Sequence, residues 1–302
     1  MHPLLNIAVR AARRAGEVIA RSIPRLESIE IHAKDRHDYV TEVDRAAEVE
    51  IINIIRHHYP DHAVLAEESG ASGSSETRWI IDPLDGTTNF LHGFPVYAVS
   101  IGCEVRGRLE VATVYDVLRQ ELFTATRGVG AQLDSRRIRV SKRRGLEGAL
   151  LATGFPFRAN DDLDTYLEML RAMMPQVAGV RRAGSAALDL AYVAAGRVDG
   201  FWELGLKPWD TAAGALLVTE AGGHLSTVSG DEYQHGGNVC AGSPRIHAAM
   251  IASFAPLLDT RTLGVKSSGV KSSGTMTTTL RDKNPPPGDQ THAEATAGDE
   301  AV

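Results

Sequence analysis

The stretch "WIIDPLDGTTNFLHGFP", residues 79–95, ends an apolar run in two carboxylates, Asp82 and Asp85, three positions apart, with Pro83 between them and Gly86, Thr87 and Thr88 after them. A buried strand that delivers acids to its carboxyl end places them where α/β folds keep their sites, and Pro83 with Gly86 predicts a tight turn there. An acidic turn whose aspartates only cap a helix starting near Thr87 accounts for this motif equally well.

Acids elsewhere break the tie. They lie in "DYVTEVD" (38–44), "LAEESG" (65–70) and "KPWDTAAG" (207–214). Singly, each has a plain explanation: Asp44 as the third-residue acid of a capping box, Glu67 and Glu68 as solvated loop charges, Asp210 as a helix cap. Together, Glu67, Asp82, Asp85 and Asp210 all stand where an apolar segment meets a turn or a helix start. Carboxylates converging without CxxC, HxH or HExxH spacing call for a hard cation with oxygen ligands, most simply Mg²⁺. Left alone, four such acids repel until some take up protons; a divalent ion removes that cost, lets the pocket accept a phosphate dianion, and acidifies a bound water into a nucleophile. A helix beginning at Gly86 and Thr87 adds backbone N–H groups and a positive dipole end for phosphate oxygens.

The rest of the chain must position these residues. Apolar residues at 4, 5, 8, 9, 12, 15, 18 and 19 follow helical spacing, and a second helix starts near Thr41 and ends at "YPDH" (59–62). Residues 96–140 read as an antiparallel meander with turns at "RGR", "VLRQ" and "RGVG". Beyond residue 150 strands and helices alternate: strands at "ALLATGFPF", "VDGFWEL" and "NVCAG"; helices over 163–174, "SAALDLAYVAAG", "WDTAAGALLVTEAGG" and a last one opened by Pro244. The pattern is a layered α/β architecture, with a mixed or antiparallel sheet in the first half and a second sheet in the latter half. Residues 1–260 form one domain of two intimate halves, about 1–145 and 146–260, and residues 261–302, with the repeat "VKSSGVKSSG", read as a disordered tail.

Bulk composition excludes other classes. A formal net charge of −6 disfavours nucleic acid and anionic membrane as direct partners, and no apolar run is long enough to span a bilayer. No secretory signal is visible, and the two cysteines, Cys103 and Cys240, read as buried small hydrophobes, so a reduced, cytoplasmic setting is expected. The basic run "SRRIRVSKRR" (135–144) lacks interleaved aromatics and reads as a solvated strand edge.

The signatures "WIIDPLDGTTNF" and "KPWDTAAGALLVTEAGG", supported by "DYVTEVD", "AEES" and "RRAGSAALDLAYVAAGRVDGFWELGLKPWD", resemble the inositol monophosphatase family, its bacterial inositol-1-monophosphatases in particular, over residues 4–258. The resemblance implies an alternating α-β-α-β-α sandwich of the sugar-phosphatase type and a lithium-sensitive, homodimeric hydrolase. It implies that Glu67, Asp82 and the Leu84 carbonyl bind a first Mg²⁺, that Asp82, Asp85 and Asp210 bind a second, and that a weaker third sits near Glu67. Thr87 and Glu67 would orient the attacking water, with Asp44 supporting Thr87 and the amides of Gly86 and Thr87 presented to phosphate. Substrate hydroxyls would meet Asp85, Gly184, Ser185, Ala186, Glu203 and Asp210, and Lys34 and Glu68 would support the metals.

The implied substrate is myo-inositol 1-phosphate; other small phosphomonoesters, such as fructose bisphosphate, histidinol phosphate or a nucleotide phosphate, are the alternative. A partner role in transcription or ribosomal RNA maturation is the second class of function, since some bacterial relatives are implicated there. An aspartyl-phosphate mechanism is disfavoured because two residues separate Asp82 from Asp85 where its best-known motif has one, and a calcium loop lacks its acids at the required positions. His92 is expected at the rim, and "GFPFR" (154–158) and Trp202 in packing.

Overall fold

The computed structural model describes residues 2–28, 31–35, 38–156 and 162–265. The chain opens with α1 (Pro3–Ser22), started by proline at its first position and by the His2 Nδ1 that accepts the Leu4 N–H at 3.2 Å. After the hairpin β1 (Ile31–Asp35) and β2 (Asp38–Thr41), Thr41 caps α2 (Glu42–His58) in a reciprocal box with Asp44. Then follow β3 (Ala63–Ala66), β4 (Gly70–Ser72), β5 (Thr77–Asp85), the single turn α3 (Thr87–Leu91), and the meander β6 (Ala98–Val105), β7 (Arg108–Asp116), β8 (Glu121–Thr126), β9 (Gly130–Leu133) and β10 (Arg136–Arg137). These strands form a sheet ordered β10-β9-β8-β7-β6-β5-β3-β4, parallel only between β3 and β5. The second half contributes β11 (Leu150–Thr153), α4 (Leu163–Met173), β12 (Gly179–Arg181), α5 (Ala186–Ala194), β13 (Gly200–Leu206), α6 (Pro208–Glu220), β14 (His224–Ser226), β15 (Gly237–Gly242) and α7 (Pro244–Val265), with a mixed sheet ordered β12-β11-β13-β15-β14.

Three apolar cores stack these elements. Trp79, Ile81, Val99 and Ile101 of the first sheet pack against Ala8, Ala12, Ile51 and Ile55 of α1 and α2. Its other face, with Ile80, Ala112 and Val114, meets Leu188, Leu190, Leu216 and Leu217 of α5 and α6, whose far side rests on Phe201, Val239 and Ala241 of the second sheet. The remaining face of that sheet, with Leu151, Trp202 and Cys240, is covered by Tyr166, Met169, Met250 and Phe254 of α4 and α7. The architecture is therefore α-β-α-β-α. Both sheets are buried on both faces, which is why β5 and β6 read as continuous apolar runs instead of alternating ones. Each fully buried Ile, Leu or Phe contributes about 1.5–3 kcal/mol of transfer free energy, and these cores dominate the fold.

Several expectations need adjusting. The strand in "ALLATGFPF" stops at Thr153, and Gly154 and Phe155 leave the sheet; Phe157 and Arg158 lie outside the described residues. The last helix continues to Val265, past the boundary expected for the tail, and residues 266–302 lie outside the described residues. The meander is as read, Cys103 and Cys240 are buried, and β10 with Arg136 and Arg137 is the exposed edge of its sheet. No helix among the described residues is long and apolar enough to cross a membrane.

Candidate active site

Two carboxylates three positions apart project to opposite faces of a regular strand, since side chains alternate. β5 avoids this with a β-bulge. Asp82 pairs with Ser100 but Asp85 with Ala98, so three steps on β5 match two on β6. Both acids consequently face the central helical layer, as do Ile80 before them and Ala98 opposite, while Leu84 turns into the outer core. Pro83, which has no N–H to donate, sits in the bulge where the ladder is interrupted. The tight turn expected at Pro83 and Gly86 is thus a bulge that runs into a left-handed residue: Gly86 has φ 98°, and a Cβ there would lie 2.9 Å from the Val96 carbonyl oxygen and 3.2 Å from that of Gly184. α3 is only five residues long and no side chain caps its Gly86 start, so it contributes less of a positive dipole end than the sequence led us to expect.

Behind this corner Asp44 has two tasks. One oxygen, Oδ2, accepts the Thr41 N–H at 2.9 Å and closes the α2 cap; the other, Oδ1, accepts the Thr87 hydroxyl at 2.9 Å. Thr87 Oγ1 also lies 3.1 Å from the Leu84 carbonyl oxygen, so its single proton is directed inward. The turn bearing Glu67 and Glu68 is held by Glu48, a buried acid of α2 whose two oxygens accept the Glu68 and Ser69 N–H groups at 2.9 Å each. The Glu67 N–H meets the Ile81 carbonyl at 3.1 Å, which ties that turn to β5.

The facing wall comes from the second half. Ser185 caps α5 and donates its hydroxyl to Asp85 Oδ2 at 2.6 Å, and the Ala187 N–H reaches the same oxygen at 2.7 Å. Asn89 of α3 donates to the carbonyls of Val96 at 2.7 Å and Ala183 at 2.9 Å, clamping the two halves together. Asp210 is the third residue of α6 and accepts the Lys207 N–H at 2.7 Å.

A cavity of about 500 Å³ opens between these walls, lined by Glu67, Asp82, Leu84, Asp85, Gly86, Thr87, Gly184, Ser185, Ala186, Glu203 and Asp210. Every metal-ligand and substrate position named from the sequence thus borders one space, and Asp44 stands just behind it. His92 is exposed at the rim, as expected. Trp202 is packed in the third core, between Tyr166 and Phe254. The side chain of Lys34 lies outside the described residues. Sequence reasoning missed Asp189 and Arg182, which also line the cavity, and Gly154 and Phe155, which it assigned to packing. Glu48 was missed as well.

The cavity's electrostatics are those of concentrated negative charge. Burial, then the charges of Glu67, Asp85 and Asp210, push the Asp82 carboxyl well above the usual range. Burial raises Asp85 to about 6 despite its hydrogen bonds to Ser185 and Ala187. Glu203 is pushed well up by burial and then by Asp189, Asp210 and Asp85. Burial also raises Asp44, against the pull of Thr41 and Thr87. Among the described residues no three acids, histidines or cysteines already stand as a finished cage around one point. The donor set nonetheless fits a hard dication: oxygen ligands only, gathered where their mutual repulsion is unrelieved.

The profile of the inositol monophosphatase family matches residues 1–258. The Nus factor SuhB of Pseudomonas aeruginosa is 58% identical over 265 residues, covering 85% of this chain and 98% of the relative. The Nus factor SuhB of Escherichia coli K12 is 54% identical over 256 residues, with coverage of 84% and 96%. Among solved structures, the extragenic suppressor protein suhB of Bartonella henselae superposes with a TM-score of 0.81 at 44% identity, covering 84% of this chain and 98% of that one. The inositol monophosphatase of Anabaena gives a TM-score of 0.73 at 37% identity, with coverage of 84% and 95%. With its layered fold and its order of acidic signatures, the chain belongs to the inositol monophosphatase family.

Proposed function

We propose that the protein is a Mg²⁺-dependent phosphatase of small polyol phosphates, with myo-inositol 1-phosphate as the favoured substrate, acting as a cytoplasmic homodimer. The observation that carries this reading is the arrival of Glu67, Asp82, Asp85 and Asp210, from three separate segments, around one cavity beside the Thr87–Asp44 pair. Glu67, Asp82 and the Leu84 carbonyl would hold one ion; Asp82, Asp85 and Asp210 a second; a weaker third would sit near Glu67. When bound, Mg²⁺ neutralises the acids, attracts the phosphate dianion and acidifies water.

The chain's own residues do the rest. Thr87 sends its proton to Asp44 and the Leu84 carbonyl, so its lone pairs are left to accept a hydrogen bond from the attacking water. Glu67, on the same wall, accepts a proton from that water as it attacks phosphorus in line with the departing alkoxide. The Gly86 and Thr87 amides face the phosphate oxygens. Asp85 Oδ2 is held by Ser185 and Ala187, which suits a fixed ligand better than an attacking nucleophile. A panel of phosphate esters assayed with Mg²⁺, with and without lithium, tests the proposal. Inositol 1-phosphate should be turned over fastest, with loss of activity in chelator and inhibition by lithium; equal or faster turnover of fructose bisphosphate or a nucleotide phosphate would reassign the substrate.

A second role, as a partner of the transcription machinery, is favoured by the name Nus factor carried by relatives 54% and 58% identical to this chain. Asp85→Asn separates the two. Rescue of a deletion phenotype by this variant, with hydrolysis abolished, assigns the phenotype to partner binding; failure to rescue assigns it to turnover.

A further inference from the structure

The cross-strand pairs Asp82/Ser100, Ile80/Gly102 and Arg78/Glu104 follow one another along β5 and β6. Alternate residues of a strand share a face, so all three pairs look into the central helical layer, as Ile80 does. The first turn of α6, which carries Asp210, is fastened along this ladder. The Ser100 hydroxyl donates to the Trp209 carbonyl at 3.3 Å. On the next rung a Cβ on Gly102 would lie 3.2 Å from the Ala212 Cβ, so the missing side chain is what lets the helix lie so close. On the third rung Glu104, 5% exposed, meets the Arg78 guanidinium at 2.7 Å through one oxygen and the His235 Nε2 at 3.3 Å through the other.

His235 belongs to a second fastener. The connection between β14 and β15 begins as a compact turn, with the Thr227 N–H on the Asp231 carbonyl at 3.0 Å, and then crosses to α6. Two residues before His235, the Tyr233 hydroxyl donates to Thr211 Oγ1 at 2.5 Å and accepts the Gly236 N–H at 3.2 Å. Thr211 is fully buried, and its own hydroxyl points back at the Lys207 and Pro208 carbonyls, 3.3 and 3.4 Å away. Gly236, at φ 90°, passes so close to the lead-in of α6 that a Cβ there would lie 3.0 Å from the Leu206 carbonyl oxygen.

Asp210 therefore stands between two residues that are each held from outside the helix, Trp209 by the first sheet and Thr211 by Tyr233. Its Oδ2 is committed to the Lys207 N–H at 2.7 Å, so its carboxylate moves with that turn. The turn is already closed by this cap and by Pro208 at its first position. What Tyr233 adds is a fixed location relative to β5, where Asp82 sits. We infer that Tyr233 is a positioning residue: through Thr211 it holds Asp210 where that carboxylate and Asp82 can serve the same ion, the second one proposed above. The inference rests on that metal-dependent reading and extends it to a residue that does not line the cavity.

The test is calorimetric titration of the metal-free full chain with Mg²⁺, for wild type, Asp210→Asn, Tyr233→Phe and Thr211→Val. Asp210→Asn identifies the binding step that needs Asp210. Tyr233→Phe should weaken that step about 10-fold, the scale of losing a partner that orients a metal ligand, and leave the other steps within about twofold of wild type. Thr211→Val should reproduce the loss, and carries the test alone if Tyr233→Phe does not fold. The double variant should lose no more than either single one, because the two changes break one path. In turnover of inositol 1-phosphate, Tyr233→Phe should raise the Mg²⁺ concentration for half-maximal rate about 10-fold, with KM for the ester and kcat at saturating Mg²⁺ within about threefold of wild type. A Tyr233→Phe protein that binds every ion as wild type does, or that weakens all steps equally, would overturn the inference whatever its stability, and so would losses that add in the double variant. If wild type binds Mg²⁺ but hydrolyses no ester, the phosphatase reading fails while the titration still decides the inference; if no binding step depends on Asp210, the inference fails by itself.

Discussion

Asp116, Asp199 and Asp82 are all buried, at 0%, 8% and 2% exposure, but the three acids live in different company. Asp116, at the end of β7, accepts the Arg119 N–H and guanidinium at 3.0 Å each and the Tyr192 hydroxyl at 3.1 Å, joining the first sheet to α5. Asp199 accepts from Ser141, from Arg143 at 3.2 Å and from the Leu150 N–H at 2.8 Å, pinning the basic segment to the second sheet. Asp82 accepts one bond, the Leu84 N–H at 3.0 Å, and otherwise faces Glu67, Asp85 and Asp210. Acids at the seams between elements are surrounded by donors and hold the fold. Those in the cavity crowd against one another, an arrangement that the proposed ion and substrate would complete.

The largest effect that would sharpen this contrast is in Asp82→Asn. Turnover should drop by about a thousandfold or more, since the residue would serve both principal ions. Without metal, however, the variant should melt above wild type, because one charge leaves a crowded cavity. Adding Mg²⁺ should stabilise wild type by about 2.7 kcal/mol at a hundredfold excess over Kd and the variant far less. Calorimetry with and without chelator measures both; a lower metal-free Tm in Asp82→Asn would break the comparison. Asp199→Ala should show the opposite pattern. It removes one acceptor from three donors and should cost about 2–4 kcal/mol in urea unfolding, with kcat per folded molecule within about twofold of wild type.

Asp44 belongs to both settings, since one oxygen caps α2 and the other holds Thr87. Asp44→Asn can still accept the Thr41 N–H through its carbonyl oxygen, but presents an amide to the Thr87 hydroxyl. Stability should change by about 1 kcal/mol or less, the scale of a weakened cap, while kcat falls about 10- to 100-fold through a misdirected Thr87. A large stability loss with normal kcat would place Asp44 wholly among the structural acids.

How much of this was readable in the sequence follows the same division. The acids of the reaction wall stood out because they sit at the ends of apolar segments, and α1 and α2 were legible because one face of each is buried and the other wet. The shared orientation of Asp82 and Asp85 was not, because a one-residue bulge reverses the face that strand parity predicts. α5 and α6 lie between two sheets and are apolar almost all round, so no polar face in the sequence marked Asp189 as a group bordering a cavity. Glu48 was hidden likewise, as one acid among several along α2. β12 and β14 have three residues each and pair only through tertiary context, too short for any period to register.

A third kind of buried titratable group gives the smallest expected effect. His247 of α7 is 6% exposed, its Nε2 lies 2.7 Å from the Ser226 hydroxyl, and the His224 ring is 4.6 Å away edge-on. Burial, and secondarily the charge of His224, lowers its pKa to about 4. The unfolded chain takes up this proton below its ordinary value near 6.5, whereas the folded protein resists until about 4. The contribution of His247 to stability is therefore flat above pH 6.5, falls as pH drops through the window from 6.5 to 4, and levels off below it. The slope is at most about 1.4 kcal/mol per pH unit, and the change from pH 6.5 to 5.5 is about 1 kcal/mol. Because Asp85, raised to about 6, titrates in the same window, the measurement is the difference between urea-unfolding free energies of wild type and His247→Gln at pH 7.5, 6.5, 5.5 and 4.5. Wild type should lose its advantage as pH falls, and two curves that stay parallel would show that this imidazole is not held neutral by the fold.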